Sequence, residues 1–119
     1  MKTFKAYLKE SDKKFKPPSS VQKIAKDIIA KKEEFGDDVK GGTRVGWTRA
    51  RQLANGDKLS YDIIKRMYSF FSRHSGNENV NPDFKDEPYR DAGYTSWAIW
   101  GGDPAFKWVK GIIEDESKA

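Results

Sequence analysis

The chain has 119 residues, 36% of them hydrophobic and 13% aromatic, and a formal net charge of +5. Its length supports one hydrophobic core and not two, and the absence of cysteine excludes disulfides, thiolate metal sites and cysteine nucleophiles. No run of 18 apolar residues occurs and Met1 to Lys16 lacks an apolar stretch of signal-peptide length, so a cytoplasmic protein without membrane association is expected.

Charge is unevenly distributed. Residues 1–16 carry six Lys/Arg against two acids, residues 17–42 five against five, residues 43–74 seven against two, and residues 75–119 five against nine. A basic front and middle thus precede an acidic rear, the single-sign clustering that a polyanionic partner needs. The alternative is a merely solvated surface.

In chain order, residues 1–16 read as a basic N-terminal arm with a short apolar group at Phe4, Tyr7 and Leu8, ended by Pro17-Pro18. Ser19 with Gln22 three positions on fits a capping box. Val21, Ile24, Ala25, Ile28 and Phe35 then recur at helical spacing, with Lys32 breaking the stripe, which predicts a helix over 19–35 closed by Gly36. After a loop at 37–42, a second helix is expected over 44–54, capped by Thr43 and stopped by Asn55-Gly56, with Trp47, Ala50, Leu53 and Ala54 inward. A third opens at Ser60, where Leu59 and Ile64 can form a hydrophobic staple. Its wide apolar arc (Ile63, Ile64, Met67, Tyr68, Phe70, Phe71) predicts that it is the central helix.

Residues 75–94 are polar and without period, a long loop. Trp97, Ala98, Ile99 and Trp100 predict a short helix begun by Thr95 and broken by Gly101-Gly102. Asp103-Pro104 predicts a restart, with an N-cap followed by proline in the first turn, and Phe106, Val109 and Ile113 share the face of the last helix. Residues 114–119 read as a frayed tail. The expected fold is mainly all-α: one domain over 17–113, four to five short helices, a helix-turn-helix-like central pair and a long polar loop.

Few patterns point to catalysis. Gly41 and Gly46 have the spacing of a phosphate-binding loop, but Trp47 stands where the lysine belongs and no strand precedes it. The glycines are better explained by a tight turn onto the helix. His74 is the single histidine, which excludes histidine triads and histidine metal clusters, and its place in a helix's last turn suits a dipole partner. Asp83, Asp86, Glu87 and Asp91 lie in the polar loop, where solvated charge is the better reading than a metal site. Most aromatic residues fall on the apolar stripes and read as core. An enzyme is not expected, nor is a metal or cofactor.

Arg44, Arg49, Arg51, Lys58, Lys65, Arg66 and Arg73 form the strongest functional pattern, on two consecutive helices joined by the turn Asn55-Gly56-Asp57-Lys58. Arginines on the outer side of such a pair can fork onto phosphates and base edges. Non-specific nucleic-acid binding, to DNA before RNA, is therefore the leading expectation. Tyr61 and Asp62 at the start of the third helix are poor base readers, which argues against sequence-specific recognition. The alternative is a protein-interaction module that meets an acidic protein surface. A competing account of the charge has Arg49 or Arg66 tying down the loop that contains Asp83 and Asp91.

The segments Gly46-Trp47-Thr48-Arg49-Ala50-Arg51-Gln52-Leu53, Lys65-Arg66-Met67-Tyr68-Ser69-Phe70-Phe71-Ser72-Arg73-His74 and Ala98-Ile99-Trp100-Gly101-Gly102-Asp103 occur together in this order. The set resembles a small helical module of tailed bacteriophages and prophages, found alone or attached to larger phage proteins. The resemblance covers roughly residues 17–113 and implies a viral setting, in the host cytoplasm or the virion. The module has no established activity, so the resemblance assigns no role to any residue.

Overall fold

The computed structural model describes residues 13–118. Among them are five α-helices: α1 Ser19–Phe35, α2 Arg44–Asn55, α3 Tyr61–Arg73, α4 Ala92–Ile99 and α5 Gly102–Lys118. Two-residue strands, β1 Lys14–Phe15 and β2 Leu59–Ser60, pair antiparallel, with Phe15 opposite Leu59. The fold is mainly all-α.

Several helix ends form as the sequence predicts. Thr43 accepts the Gly46 N–H and caps α2, Gly56 ends it in a left-handed conformation, and the Ser60 hydroxyl accepts the Ile63 N–H at the start of α3. Others differ. Pro18, not Ser19, is the N-cap of α1 and gives it no side-chain cap. Gln22 instead donates its Nε2 to the Pro17 carbonyl at 2.9 Å. The helix α4 starts at Ala92 rather than Thr95, because Asp91 accepts the N–H groups of Gly93 and Tyr94 and makes the better cap. Thr95 is fully buried one turn inside, its hydroxyl donating to the Tyr89 carbonyl. The last helix begins at Gly102, which places Asp103 within the first turn; its carboxylate accepts the Trp97 indole N–H at 2.8 Å.

The centre of the fold is α1, not α3. The helix α1 packs against α2, α4 and α5, whereas α3 lies chiefly along α5. The helix-turn-helix-like pair α2–α3 is thus joined by the expected short turn, but its principal packing is with other elements. Sequence alone favours α3 because its apolar arc is wide. That width arises from aromatic clustering: Phe71 is stacked on Phe106 at 5.2 Å and meets Trp97 edge-on at 4.8 Å. Ile64, Met67 and Phe71 are fully buried, as the stripe predicts. A second cluster, under the other end of α1, joins Ile28, Val39, Ala50, Tyr89 and Ile99.

Both chain ends of the expected domain are more ordered than the sequence suggests. Residues 1–12 of the expected arm, with Phe4, Tyr7 and Leu8, lie outside the described residues. Its last residues are docked: Lys14 and Phe15 form β1, Phe15 packs near Tyr61, and Pro17 is fully buried. The expected frayed tail continues α5 to Lys118, and Glu116 pairs with Lys13 at 2.9 Å.

Candidate nucleic-acid interface

The seven cations singled out in the sequence do not share one face. Helical spacing places Arg44 and Arg51, seven apart, on one ridge of α2 with Thr48 between them, and all three are exposed. Arg51 donates to the Thr48 hydroxyl at 3.4 Å. Arg66 and Arg73, also seven apart, line the outer face of α3 beside Lys65, and these are exposed too. Lys65 lies over the Tyr61 ring at 5.2 Å, and Arg66 pairs with Asp62 one turn earlier at 3.1 Å. Lys58 is exposed in the connecting turn.

Arg49 is the exception. It projects from the inward flank of α2, is only 8% exposed, and lies over the Trp100 ring at 5.7 Å. One terminal nitrogen bonds Gln52, while its Nε is buried and has no hydrogen-bond partner among the described residues. Burial lowers its pKa below the ordinary arginine value, and the nearby Arg66 guanidinium lowers it further. Trp100 is in turn stacked on Phe70 at 5.0 Å, and Phe70 carries His74 at 4.7 Å. Arg49 therefore ends a column of rings, a structural place more than a phosphate-binding one.

Among the described residues, no carboxylate of the acidic rear forms an ion pair with a cation of α2 or α3. Among the described residues, Arg49 and Arg66 make no ion pair with the 75–94 loop, so the competing account in which they tie that loop down is overturned. The loop is held instead by its own groups and by Asp38. Asp91 accepts N–H bonds from Asn81, Gly93 and Tyr94. The Asn81 N–H above all, with those of Tyr94 and Gly93, holds the Asp91 carboxyl below its usual range against the opposing effect of burial. Arg90 reaches Glu87 at 3.3 Å and Asp38 at 3.7 Å. Glu87 also accepts the Tyr89 hydroxyl, and that bond, then Arg90, lowers the Glu87 pKa. Among the described residues, no group of three or more His, Asp or Glu is placed to hold a metal ion.

The glycine loop before α2 acts in packing. Gly41 has φ +93°, and a Cβ there would stand 2.4 Å from the Ala92 carbonyl oxygen, so only glycine lets this loop close onto α4. Gly41 and Gly42 thus turn the chain before α2, as the sequence suggests, whereas Gly46 lies buried inside α2 and makes no turn.

Tertiary structure adds cations that the sequence pattern leaves out. A shallow groove between α1 and α2 consists of two adjoining hollows of about 270 and 390 Å³ that share Ile29, Glu33 and Arg51. Lys26 and Lys32 enter it from α1, Arg44 and Arg51 from α2, and Trp47 lines it. The Lys32 ammonium sits over the Trp47 ring at 5.9 Å. The one available signal in the sequence was Lys32 itself, the residue that breaks the α1 stripe.

Among the described residues, no helix is long and apolar enough to cross a membrane. Comparison of the chain with protein-family models, with curated proteins and with solved structures finds no match.

Proposed function

We propose that the protein binds nucleic acid without sequence specificity, DNA before RNA, through the exposed cations of α2, α3 and their connecting turn, as an accessory protein of a tailed phage or prophage. One observation carries the reading. Six of the seven cations in 43–74 are exposed, and among the described residues only Arg66 is engaged in an ion pair, with its own helix neighbour Asp62. Unneutralised cations on consecutive helices create a positive potential that attracts a polyanion and releases its counterions on contact.

Retention on nucleic acid against salt concentration tests it. With about four to six phosphates neutralised, log affinity falls on log salt with a slope of roughly −4 to −5 on duplex DNA. Replacing Arg44, Arg51 and Arg73 together by glutamine flattens that slope by about two to three units, because glutamine removes charge and keeps most of the stem. No retention on duplex or single strand at about 20–50 mM salt refutes the proposal.

A second reading, a protein-interaction module, is favoured by a cleft of about 450 Å³ between α1, α4 and the polar loop. Ile24, Ile28, Tyr89 and Tyr94 line it, with Asp27 and Glu34 among its charged residues. Recovery of one protein partner regardless of nuclease treatment supports this reading over the first.

A further inference from the structure

We infer that the groove between α1 and α2 is a single-strand site, in which backbone phosphates meet Lys26, Lys32, Arg44 and Arg51 and a base stacks on Trp47. This rests on the proposed binding of nucleic acid and names the form of nucleic acid bound.

The groove has the composition that a single strand requires. Four cations, two from each helix, stand against one acid, Glu33. Ile29 and Trp47 provide an apolar and aromatic lining between them. Proteins that hold single strands without sequence preference combine a basic groove along the backbone with aromatic faces under the bases. The geometry suits a duplex poorly. Duplex readers push a helix into the major groove, whereas Trp47 and Ile29 line a recess between two helices. A flexible strand can lower a base into that recess, but paired and stacked bases cannot reach it.

Lys32 supplies the exchange that admits a base. Its ammonium covers the Trp47 ring and donates to the Gly36 carbonyl at 3.2 Å. An incoming strand offers the ammonium a charged phosphate oxygen in place of a neutral carbonyl, a stronger acceptor. The lysine swings to the phosphate, and the ring face it leaves receives the base. Val45, the one large hydrophobic residue that is strongly exposed among the described residues, is 60% exposed near the N-terminal end of α2, next to Arg44.

The test uses the whole protein with an oligothymidylate of about a dozen nucleotides and a self-complementary duplex of equal length, each at low salt. The expected result is tighter binding of the single strand, with quenching of tryptophan fluorescence. Trp47→Phe, which keeps a ring in the packing, is expected to bind but to lose most of the quenching. Lys26→Gln with Lys32→Gln, the first exposed and the second half-buried on α1, is expected to weaken single-strand binding on the order of ten-fold while changing duplex binding little. Undiminished quenching in Trp47→Phe, or single-strand affinity unchanged in the double lysine variant, overturns the inference. If that variant binds like the parent while Arg66→Gln with Arg73→Gln weakens binding, the groove is wrong and the proposed function stands. If neither nucleic acid is retained by the parent, both fail.

Discussion

Arg49 is expected to stabilise the protein when it is replaced by methionine. In the native fold its side chain is 8% exposed, its Nε has no hydrogen-bond partner among the described residues, and Arg66 opposes its charge. The substitution forfeits the guanidinium over Trp100, worth about 0.5–2 kcal/mol, and the bond to Gln52, worth about 1 kcal/mol. Gln52 is only half-buried and can turn to water, which limits that second loss. Against this stands the cost of holding a desolvated cation that has no carboxylate partner among the described residues, several kcal/mol for a buried ion. Methionine keeps the unbranched volume over Trp100 and makes a favourable sulfur–ring contact. The balance is a gain of about 1–2 kcal/mol, seen as a rise in Tm of roughly 3–8 °C for a domain of this size. Thermal unfolding of Arg49→Met, and of Arg49→Met combined with Arg66→Gln, measures it. Arg66→Gln alone is expected to stabilise slightly, by a few tenths of a kcal/mol, and to have no such effect once Arg49 is methionine. A fall in Tm of more than about 3 °C in Arg49→Met refutes the reasoning, because the stack on Trp100 would then outweigh desolvation.

Gly101→Ala should be among the most damaging single changes: φ is +105°, and the added Cβ would stand 2.5 Å from Ala105 Cβ and 2.8 Å from Val21 Cγ1. Strain and overpacking together cost about 2–5 kcal/mol, whereas Gly111→Ala, in open space within α5, is expected to add about 0.5–1 kcal/mol; denaturant melts of the pair decide both. Asp91→Ala is expected to cost about 1–2 kcal/mol through loss of the α4 cap. Because the folded Asp91 pKa is depressed, its stabilising contribution is fully present above the unfolded carboxylate value of about 3.9 and is lost as pH falls through the lower folded value. A melting curve of Asp91→Asn that follows the parent's dependence below about pH 4 counts against this assignment. Removing residues 1–16 is expected to lower Tm by about 3–6 °C more than removing residues 1–12, since only the longer cut removes β1 and the half-buried Phe15. Equal melting temperatures would show that the β1–β2 pair adds nothing.

Local chemistry determined much of this protein. The helical periods of α1, α2 and α3 follow from apolar spacing, and the Thr43, Gly56 and Ser60 boundaries follow from capping, which depends on residues within one turn. The start of α4 shows where that locality ends. Thr95 and Asp91 are both competent caps by type, and the choice of Asp91 is coupled to burial of Thr95 under the Tyr89 carbonyl and to the Asn81 N–H ten residues earlier. Asp103 likewise reads as a cap in isolation, but the Trp97 indole takes its carboxylate.

The site was legible as a composition and not as a surface. Seven cations in 43–74 are visible in the sequence, but which are exposed depends on the partner each helix face meets. Arg49 and Arg51 differ by two positions, and the packing of Trp100 buries the first while the second stays in water. Lys32 shows in the sequence only as the residue that breaks the α1 stripe, and Lys26 not at all; their role emerges when α2 is laid against α1 and brings Arg44, Arg51 and Trp47 beside them. Periodicity reports which side of a helix is apolar; only tertiary packing decides which neighbour covers it, and therefore which charges remain to meet a partner.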